Sequence, residues 1–317
     1  MQHRVLILGV GRLGIRYLEG MTHLNESLDI WVCDRLKSNL DLAKEAWLRI
    51  VGSSSGHQLF YSLAIEDLPD FFDLVVIATT ADVRPDVVRM LAQQSEVRFW
   101  ILEKVLAQSV IQLAQIREAL EGKGEVWVNT PRHSWSLYKN LRARVGRSKS
   151  LHAQFKGFDG LACNAMHYID LVSRWSDARV SDVDTTGLDK KWIASKRPGF
   201  FEIQGCLFVT FTDSSTLKLI SNGVDREYKA WLTIGDSDWD VYEQSDYAVN
   251  AANERVTGRC ELQSELTAIL FREIFEGGYS SLPTLQQSIL QHQPYIEAML
   301  AHWNTNMQDN RILIPIT

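Results

Sequence analysis

Short apolar runs alternate with amphipathic stretches through the first third of the chain. The apolar runs consist mostly of leucine, β-branched and aromatic residues and lie at 5–8, 28–33, 59–62, 73–78, 97–102 and 125–129. Such runs are typical of strands covered on both faces of a parallel sheet. The intervening stretches predict helices at 12–19, 36–50, 64–69 and 109–122 and a helix that begins at Pro85. This alternation predicts an α/β fold with a doubly wound parallel sheet, whose ligands bind at the carboxyl ends of the strands.

Beyond residue 129 the apolar pattern changes to period two. Clear alternation at 206–212 and 216–220, with turn residues between successive runs, predicts hairpins and a largely antiparallel open sheet. A further strand is predicted at 150–156, and helices are predicted at 161–174, 262–276 and 284–304. The chain length of 317 residues favours two domains. We predict a first domain at 1–129 and an α+β domain at 130–317, whose last helix and tail pack back on the first.

Three glycines follow the first strand at the spacing G-x-G-x-x-G. Gly9 permits a sharp turn, Gly11 lets the backbone approach a pyrophosphate, and Gly14 lets the new helix pack closely on the strand. The N–H groups at the start of that helix favour phosphate oxygens. The turn predicts a Rossmann dinucleotide-binding domain. Its expected cofactor contacts are Gly9, Gly11, Arg12, Leu13 and Gly14.

An acid ends the second predicted strand, about 20 residues after the glycine turn. A dinucleotide fold places at this position the carboxylate that binds the adenosine ribose hydroxyls, so Asp34 is a candidate for that role. The alternative is that Asp34 only caps the following helix. Arg35 is suited to a 2′-phosphate, but Asp34 would repel that group. The pair therefore favours NAD over NADP as the cofactor.

Composition narrows the class of protein. The formal net charge is −6 and no basic run occurs, which argues against nucleic acid as a partner. The four cysteines are scattered without metal-binding spacing, and the histidines are unpaired in sequence, so we expect a reducing compartment and no metal. The sequence also lacks a signal-peptide pattern and a long apolar run, so we expect a cytoplasmic protein that does not cross a membrane.

The ordered set of motifs resembles the Gfo/Idh/MocA family of oxidoreductases over essentially the whole chain. The matching features are the glycine turn, Asp34, the strand end Ala78-Thr79-Thr80, the pair Glu103-Lys104, and a helix with His167 and Asp170. The resemblance implies hydride transfer between nicotinamide and a secondary alcohol or ketone of a sugar, sugar derivative or nucleotide sugar. It also implies a homodimer or homotetramer built on the open sheet of the second domain.

The resemblance implies roles for individual residues. Lys104 and His167 are the expected catalytic groups, since a lysine can steady a developing alkoxide and a histidine titrates near neutral pH. Expected cofactor contacts are Asp34, Arg35, Thr79, Thr80, Glu103 and Lys104, and expected substrate contacts are Asn164, Arg132 and His167.

The sequence also departs from the family pattern. Val105 replaces the proline of Glu-Lys-Pro, and Cys163 replaces the acid of Asp-x-Gly-x-His. An alternative function is therefore a catalytically impaired dinucleotide-binding sensor or scaffold, and a weaker one is a reductase for nonsugar ligands. Asp159 either caps the helix or stands in for the missing acid. Asp170 is either a partner of the His167 imidazole or a surface acid.

Two further features have competing interpretations. Arg132 binds an anionic substrate group or is a surface arginine. The spacing of Tyr168 and Trp175 favours packing over a sugar-stacking platform.

Overall fold

A computed structural model describes residues 2–51, 56–146, 150–223 and 227–317. The chain contains two compact units. The first comprises Met1–Ala107, Ile111–Asn129 and Glu261–Gln286, and the second comprises Gln108–Val110, Thr130–Cys260 and Gln287–Thr317.

The predicted strands and helices occur in the expected order, except that the stretch 64–69 contains only a short 3₁₀ helix, Ile65–Asp67. The helices are α1 (Arg12–Met21), α2 (Lys37–Val51), α3 (Arg84–Gln94), α4 (Val110–Leu120), α5 (Ser136–Val145), α6 (Leu161–Ser176), α7 (Gln263–Gly277) and α8 (Leu285–Met307). The first strands are β1 (His3–Leu8), β2 (Leu28–Cys33), β3 (Gln58–Ser62), β4 (Phe71–Ile77), β5 (Glu96–Leu102), β6 (Glu125–Val128) and β7 (Leu151–Lys156). They are followed by β8 (Val180–Asp184), β9 (Ile193–Ala194), β10 (Phe201–Glu202), β11 (Gly205–Phe211) and β12 (Thr216–Ser221). The last strands are β13 (Lys229–Ile234), β14 (Ser237–Tyr242), β15 (Tyr247–Asn250) and β16 (Arg255–Thr257).

The first unit is built on a six-stranded sheet in the order β3-β2-β1-β4-β5-β6, and every neighbouring pair is parallel. Val5, Leu6 and Ile7 of β1 are all 0% exposed, so this central strand is buried on both faces. That burial is the reason for its continuous apolar run. The predicted parallel sheet is confirmed.

Helix α7 belongs to the first unit, although it follows most of the second in sequence. It lies against α1, and the Phe275 ring stacks on His3 with centroids 4.1 Å apart. The segment after α7 extends the sheet edge, where the Val128 amide donates to the Pro283 carbonyl at 3.0 Å.

The second unit is built on an eight-stranded sheet in the order β16-β15-β14-β13-β7-β12-β11-β8. Its neighbouring strands are antiparallel except for β7 and β12, which are parallel. In β11 the side chains alternate as predicted: one set is buried (Leu207, Val209, Phe211) and the other is partly exposed (Cys206, Phe208, Thr210). The predicted open, largely antiparallel sheet is confirmed.

Helix α6 lies against this sheet through a continuous apolar face. Ala162, Met166, Ile169 and Val172 are all 0% exposed, as their spacing predicts. The Tyr168 ring reaches Phe155 of β7, with centroids 4.5 Å apart. Among the described residues, none of the helices has both the length and the apolar character needed to span a membrane.

The glycine turn generates a stability prediction. A Cβ at Gly14 would lie 2.2 Å from the Gly9 carbonyl oxygen, whereas a Cβ at Gly11 would meet nothing within 4 Å. Gly14→Ala should therefore lower the free energy of unfolding by about 2 kcal/mol, the usual cost of forcing atoms into a packed site. Gly11→Ala is the matched control and should cost about 1 kcal/mol or less, as expected for a helix N-cap glycine. Urea unfolding curves measure both changes, and equal losses would contradict the close packing of Gly14.

Candidate active site

The Asp34 carboxylate joins the end of β2 to the glycine turn. Its Oδ2 accepts from the Val10 amide at 3.0 Å and from Asn39 Nδ2 at 2.9 Å, and its Oδ1 accepts from the Leu36 amide at 2.9 Å. None of these three donors is a backbone N–H of α2, so the bonds do not match those of a helix cap. A carboxylate offers about four acceptor sites, so one on Oδ1 remains for a ribose hydroxyl.

The residues of the turn are compatible with a dinucleotide. Gly9 has φ +92°, and its built Cβ would lie 2.8 Å from the Thr79 amide, so β4 ends close against the turn. Gly11 and Arg12 are exposed, and the open space beside Gly11 leaves room for a pyrophosphate. The Thr79 hydroxyl is buried and has no hydrogen-bond partner within the described residues, which leaves it available to a ligand. These are the features that a bound dinucleotide would use.

Glu103 is 2% exposed and lies in a buried polar network of the first unit. Its Oε1 accepts from the Tyr17 hydroxyl at 2.6 Å and from Asn129 Nδ2 at 2.6 Å. Asn129 Nδ2 also donates to Gln263 Oε1 at 2.8 Å. Burial, together with the charge of Glu103, raises the pKa of Tyr17 well above its ordinary value, so Tyr17 remains a donor. The network holds Glu103 at the end of β5, directly before Lys104.

Lys104 is half-buried and follows the last residue of β5 by two positions. Thr80 is partly exposed at the end of the neighbouring strand β4, and Arg35 is exposed after β2. In parallel sheets the carboxyl ends of the strands lie at one edge. The first unit therefore brings the predicted cofactor residues and Lys104 to a single edge of its sheet.

In the second unit, α6 exposes one small polar face. Within Leu161–Asp170, the residues that are not fully buried are Cys163, Asn164 and His167. They share a face because they lie three or four positions apart or adjoin one another. Asn164 Nδ2 donates to the Asp159 carbonyl at 3.0 Å. The predicted substrate contact and the predicted catalytic histidine therefore lie together.

A carboxylate that the sequence does not indicate lies at the start of α6. Glu202 Oε2 accepts from the Ala162 amide at 2.8 Å, although the two residues are 40 positions apart. The Asp159 side chain makes no capping bond to this helix, whose N-cap is Gly160, so the capping alternative for Asp159 is wrong. Its alternative role in place of the missing acid stays a prediction. A carboxylate is favourable here because it faces the positive end of the helix dipole.

Asp170 matches neither of the two alternatives predicted for it. It is 0% exposed, and its carboxylate accepts from His133 Nδ1 at 2.8 Å and from Gln291 Nε2 at 3.1 Å. The Ser134 hydroxyl lies 3.1 Å from His133 Nε2. Asp170 is therefore neither a surface acid nor a hydrogen-bond partner of His167. It joins α6 to the segment that follows β6 and to α8.

Arg132 is buried, so the surface-arginine alternative is wrong. Its guanidinium forms an ion pair with Glu243, which also accepts from the Tyr138 hydroxyl. The same guanidinium lies 4.2 Å from the ring centroid of Tyr168 and 4.5 Å from that of Trp135. This cation belongs to an aromatic cluster, in which burial raises the pKa of Tyr168 to about 12. Binding of a substrate anion by Arg132 stays a prediction.

Packing, rather than sugar stacking, describes the two aromatic residues of α6. Tyr168 is 2% exposed and Trp175 is 4% exposed. The Trp175 ring meets Tyr138 edge-on, with centroids 5.9 Å apart. Across the described ranges, no three histidine, cysteine or acidic side chains are grouped as a metal site requires.

The parallel sheet with its glycine turn and the largely antiparallel second sheet define a two-unit α/β fold whose first unit is of the Rossmann type. No protein-family model and no curated protein matches the sequence. Solved structures match along nearly all of it. The UDP-N-acetylglucosamine 3-dehydrogenase GnnA from Acidithiobacillus ferrooxidans matches with a TM-score of 0.72 and 13% identity, over 94% of this chain and 97% of that one.

Two further structures contain bound ligands. The WlbA dehydrogenase from Bordetella pertussis, in complex with NADH and UDP-GlcNAcA, matches with a TM-score of 0.66 and 15% identity over 100% of both chains. The scyllo-inositol dehydrogenase from Lactobacillus casei, with bound NAD(H) and scyllo-inositol, matches with a TM-score of 0.66 and 12% identity, over 96% of this chain and 98% of that one. At these identities the likeness establishes the shared fold.

Proposed function

We propose that the protein is a Gfo/Idh/MocA-type oxidoreductase that transfers hydride between NAD(H) and a secondary alcohol or ketone of a sugar, sugar derivative or nucleotide sugar. The observation that supports this most directly is the glycine turn, with open space beside Gly11 and a spare acceptor site on Asp34. The structural neighbours described above, which include sugar and nucleotide-sugar dehydrogenases, add to this support.

The cofactor supplies the hydride acceptor or donor when bound. The turn at 9–14 would bind the pyrophosphate of the cofactor, and Asp34 would bind its adenosine ribose. Thr79 and Thr80 would contact the part of the cofactor that continues beyond the pyrophosphate along the sheet edge. Arg35 is exposed beside Asp34. A cofactor contact of Glu103 stays a prediction, and its buried carboxylate accepts from Tyr17 and Asn129 directly before Lys104.

The proton chemistry is assigned to Lys104 and His167. Oxidation of an alcohol requires an acceptor for the hydroxyl proton and a positive charge for the developing alkoxide. His167 suits the first role because it is partly exposed and an imidazole titrates near neutral pH. Lys104 suits the second, and Asn164 can donate to or accept from a neighbouring hydroxyl.

A sensor or scaffold is the second candidate function, and it is favoured by one observation. Cys163 occupies the position of the family acid, and a thiol is a weak hydrogen-bonding group compared with a carboxylate. The two candidates differ in whether sugars or nucleotide sugars reduce bound NAD. We also infer a reducing, cytoplasmic compartment, which is consistent with four cysteines that form no disulfide.

A homodimer through the open face of the second sheet is also proposed. The strand registers align one row of side chains across this face, in the order Asp184, Phe208, Lys218, Gln154, Trp231, Asp240, Val249, Arg255. A twofold axis that runs parallel to the strands and through the middle of the row brings the same face of a second copy against it. The row of the second copy then runs in the opposite order. Lys218 then faces Asp240, and Asp184 faces Arg255. The row is therefore complementary to itself, as the shared surface of a twofold dimer must be.

Cofactor choice gives a first test of the function. The unaltered protein should bind NAD(H) at least about tenfold more tightly than NADP(H), because Asp34 repels a 2′-phosphate. Asp34→Asn keeps an acceptor for Val10 but removes the charge, and should narrow that ratio by about tenfold. Fluorescence titration with NADH and NADPH measures the ratio. Asp41→Asn, at an exposed acid on α2 that pairs with Lys37, is the control. If the unaltered protein preferred NADPH, the proposed role of Asp34 would be excluded, and Arg35 would be assigned to the 2′-phosphate instead.

Catalysis gives a second test. Lys104→Ala and His167→Ala should each lower kcat by about 10²–10⁴-fold in NAD reduction by a responsive sugar, as expected for loss of a proton-transfer group. The NADH dissociation constant should stay within about threefold, since neither residue is assigned to the adenosine or pyrophosphate. Lys37→Ala, on exposed α2, should leave kcat unchanged. An undiminished kcat in either site variant would remove that residue from the mechanism.

Association gives a third test. Lys218→Glu should shift the protein toward the monomer, because the altered residue would face Asp240 of the second copy. Adding Asp240→Lys restores an opposite-charge pair and should restore the dimer. Light scattering over a range of protein concentrations measures the mass. A double variant as monomeric as the single one, or an unaltered protein that is monomeric throughout, would exclude this interface.

A further inference from the structure

Arg84 is a buried cation at the cofactor edge of the first sheet, and the sequence assigns it no role. It is the first residue of α3 and is 1% exposed. Its guanidinium donates to the carbonyl oxygens of Thr79, Val105 and Leu106, the last at 3.1 Å. Thr79 follows β4, whereas Val105 and Leu106 follow β5, which pairs directly with β4. A single side chain therefore joins two neighbouring strand ends.

The chemistry of the guanidinium suits this bridging position. It is planar and rigid and directs five N–H donors outward in a fixed fork, so it can serve acceptors on two separate segments at once. A buried cation costs free energy unless hydrogen bonds satisfy its donors. The free-energy cost of burying this charge is therefore offset by the three carbonyls, and the carbonyls in turn obtain their donors from Arg84.

Lys104 lies between two fixed points of the backbone. On one side, Glu103 is held by Tyr17 and Asn129. On the other side, the carbonyls of Val105 and Leu106 are held by Arg84. Position 105 is a valine, so no proline ring restricts φ after Lys104. The geometry of the lysine backbone is consequently set by side chains that lie elsewhere in the sequence.

We propose that Arg84 is a positioning residue for Lys104, and that it sets the placement of the lysine amine relative to the Thr79 end of β4. This inference rests on the proposed function, in which Lys104 acts on the substrate hydroxyl and Thr79 contacts the cofactor. Misplacement of a reacting group by about 1 Å can reduce a rate about 10²-fold. Release of the two carbonyls should therefore lower kcat without removing any group that touches the substrate.

The first experiment replaces Arg84 by lysine, which keeps the charge but lacks the fork. Arg84→Lys should lower kcat at least about tenfold and leave KM for the sugar and the NADH dissociation constant within about threefold. Arg89→Lys is the matched control, because Arg89 lies on the same helix, is exposed and pairs with Asp86. If Arg84→Lys does not fold, Arg84→Gln takes its place, since its amide still donates to one carbonyl.

A double-mutant cycle separates positioning of Lys104 from a general structural effect. When Lys104 is already alanine, Arg84→Lys should change the residual kcat less than about twofold, because there is no amine left to misplace. If the two losses instead multiply, Arg84 acts independently of Lys104 and the inference is overturned.

The second experiment needs no substrate. Trace labelling of the apo and NADH-bound protein with acetic anhydride, followed by mass spectrometry, compares the reactivity of Lys104 with that of exposed Lys37. Arg84→Lys should change this ratio at least about threefold, and Arg89→Lys should leave it unchanged. An unchanged ratio in folded Arg84→Lys would overturn the inference. If no sugar reduces NAD but the ratio changes as expected, the proposed function fails while the positioning of Lys104 stands.

Discussion

The hydrogen bond from the Val10 amide to the Asp34 carboxylate is the contact on which the carboxyl edge of the first sheet depends. Parallel strands end in backbone groups that have lost their neighbours in the sheet, and these groups need partners when they are buried. At the ends of β1 and β2 the partner is Asp34. The carboxylate that is proposed to bind the ribose is therefore also the group that joins the glycine turn to the end of β2.

The other strand ends are held in the same way. Arg84 joins the ends of β4 and β5, and Tyr17 with Asn129 fixes Glu103. Each of these side chains comes from an element other than the strand that it holds. Buried polar groups of this kind add little net stability, but every lost partner is costly, so they favour one arrangement over nearby alternatives. The strand ends at this edge are thus held by polar side-chain contacts, whereas the strands themselves are held by apolar packing.

The parts of the structure that the sequence predicts are those with a local pattern. The buried strands, the glycine turn and the apolar face of α6 each depend on residues within one element, so period and composition are sufficient. The contacts of Arg132 with Glu243, of His133 with Asp170 and of Ala162 with Glu202 join residues 111, 37 and 40 positions apart. No spacing rule specifies such pairs. Asp170 illustrates the consequence: helical spacing correctly puts it one turn from His167, but its partner comes from a segment that the spacing does not describe.

The second sheet shows how an alternating pattern leaves a choice open. Period two fixes which side chains share a face, and burial of Leu207, Val209 and Phe211 settles which face is internal. The opposite face combines the partly exposed Phe208 and Trp231 with the exposed Lys218 and Asp240. Apolar side chains can supply affinity between two such faces, but they tolerate many relative positions. The charged side chains tolerate few relative positions, because a shift of one copy by one strand would move Lys218 away from Asp240 of the other copy. In the proposed dimer the aromatic residues would account for association and the ionic residues for its register.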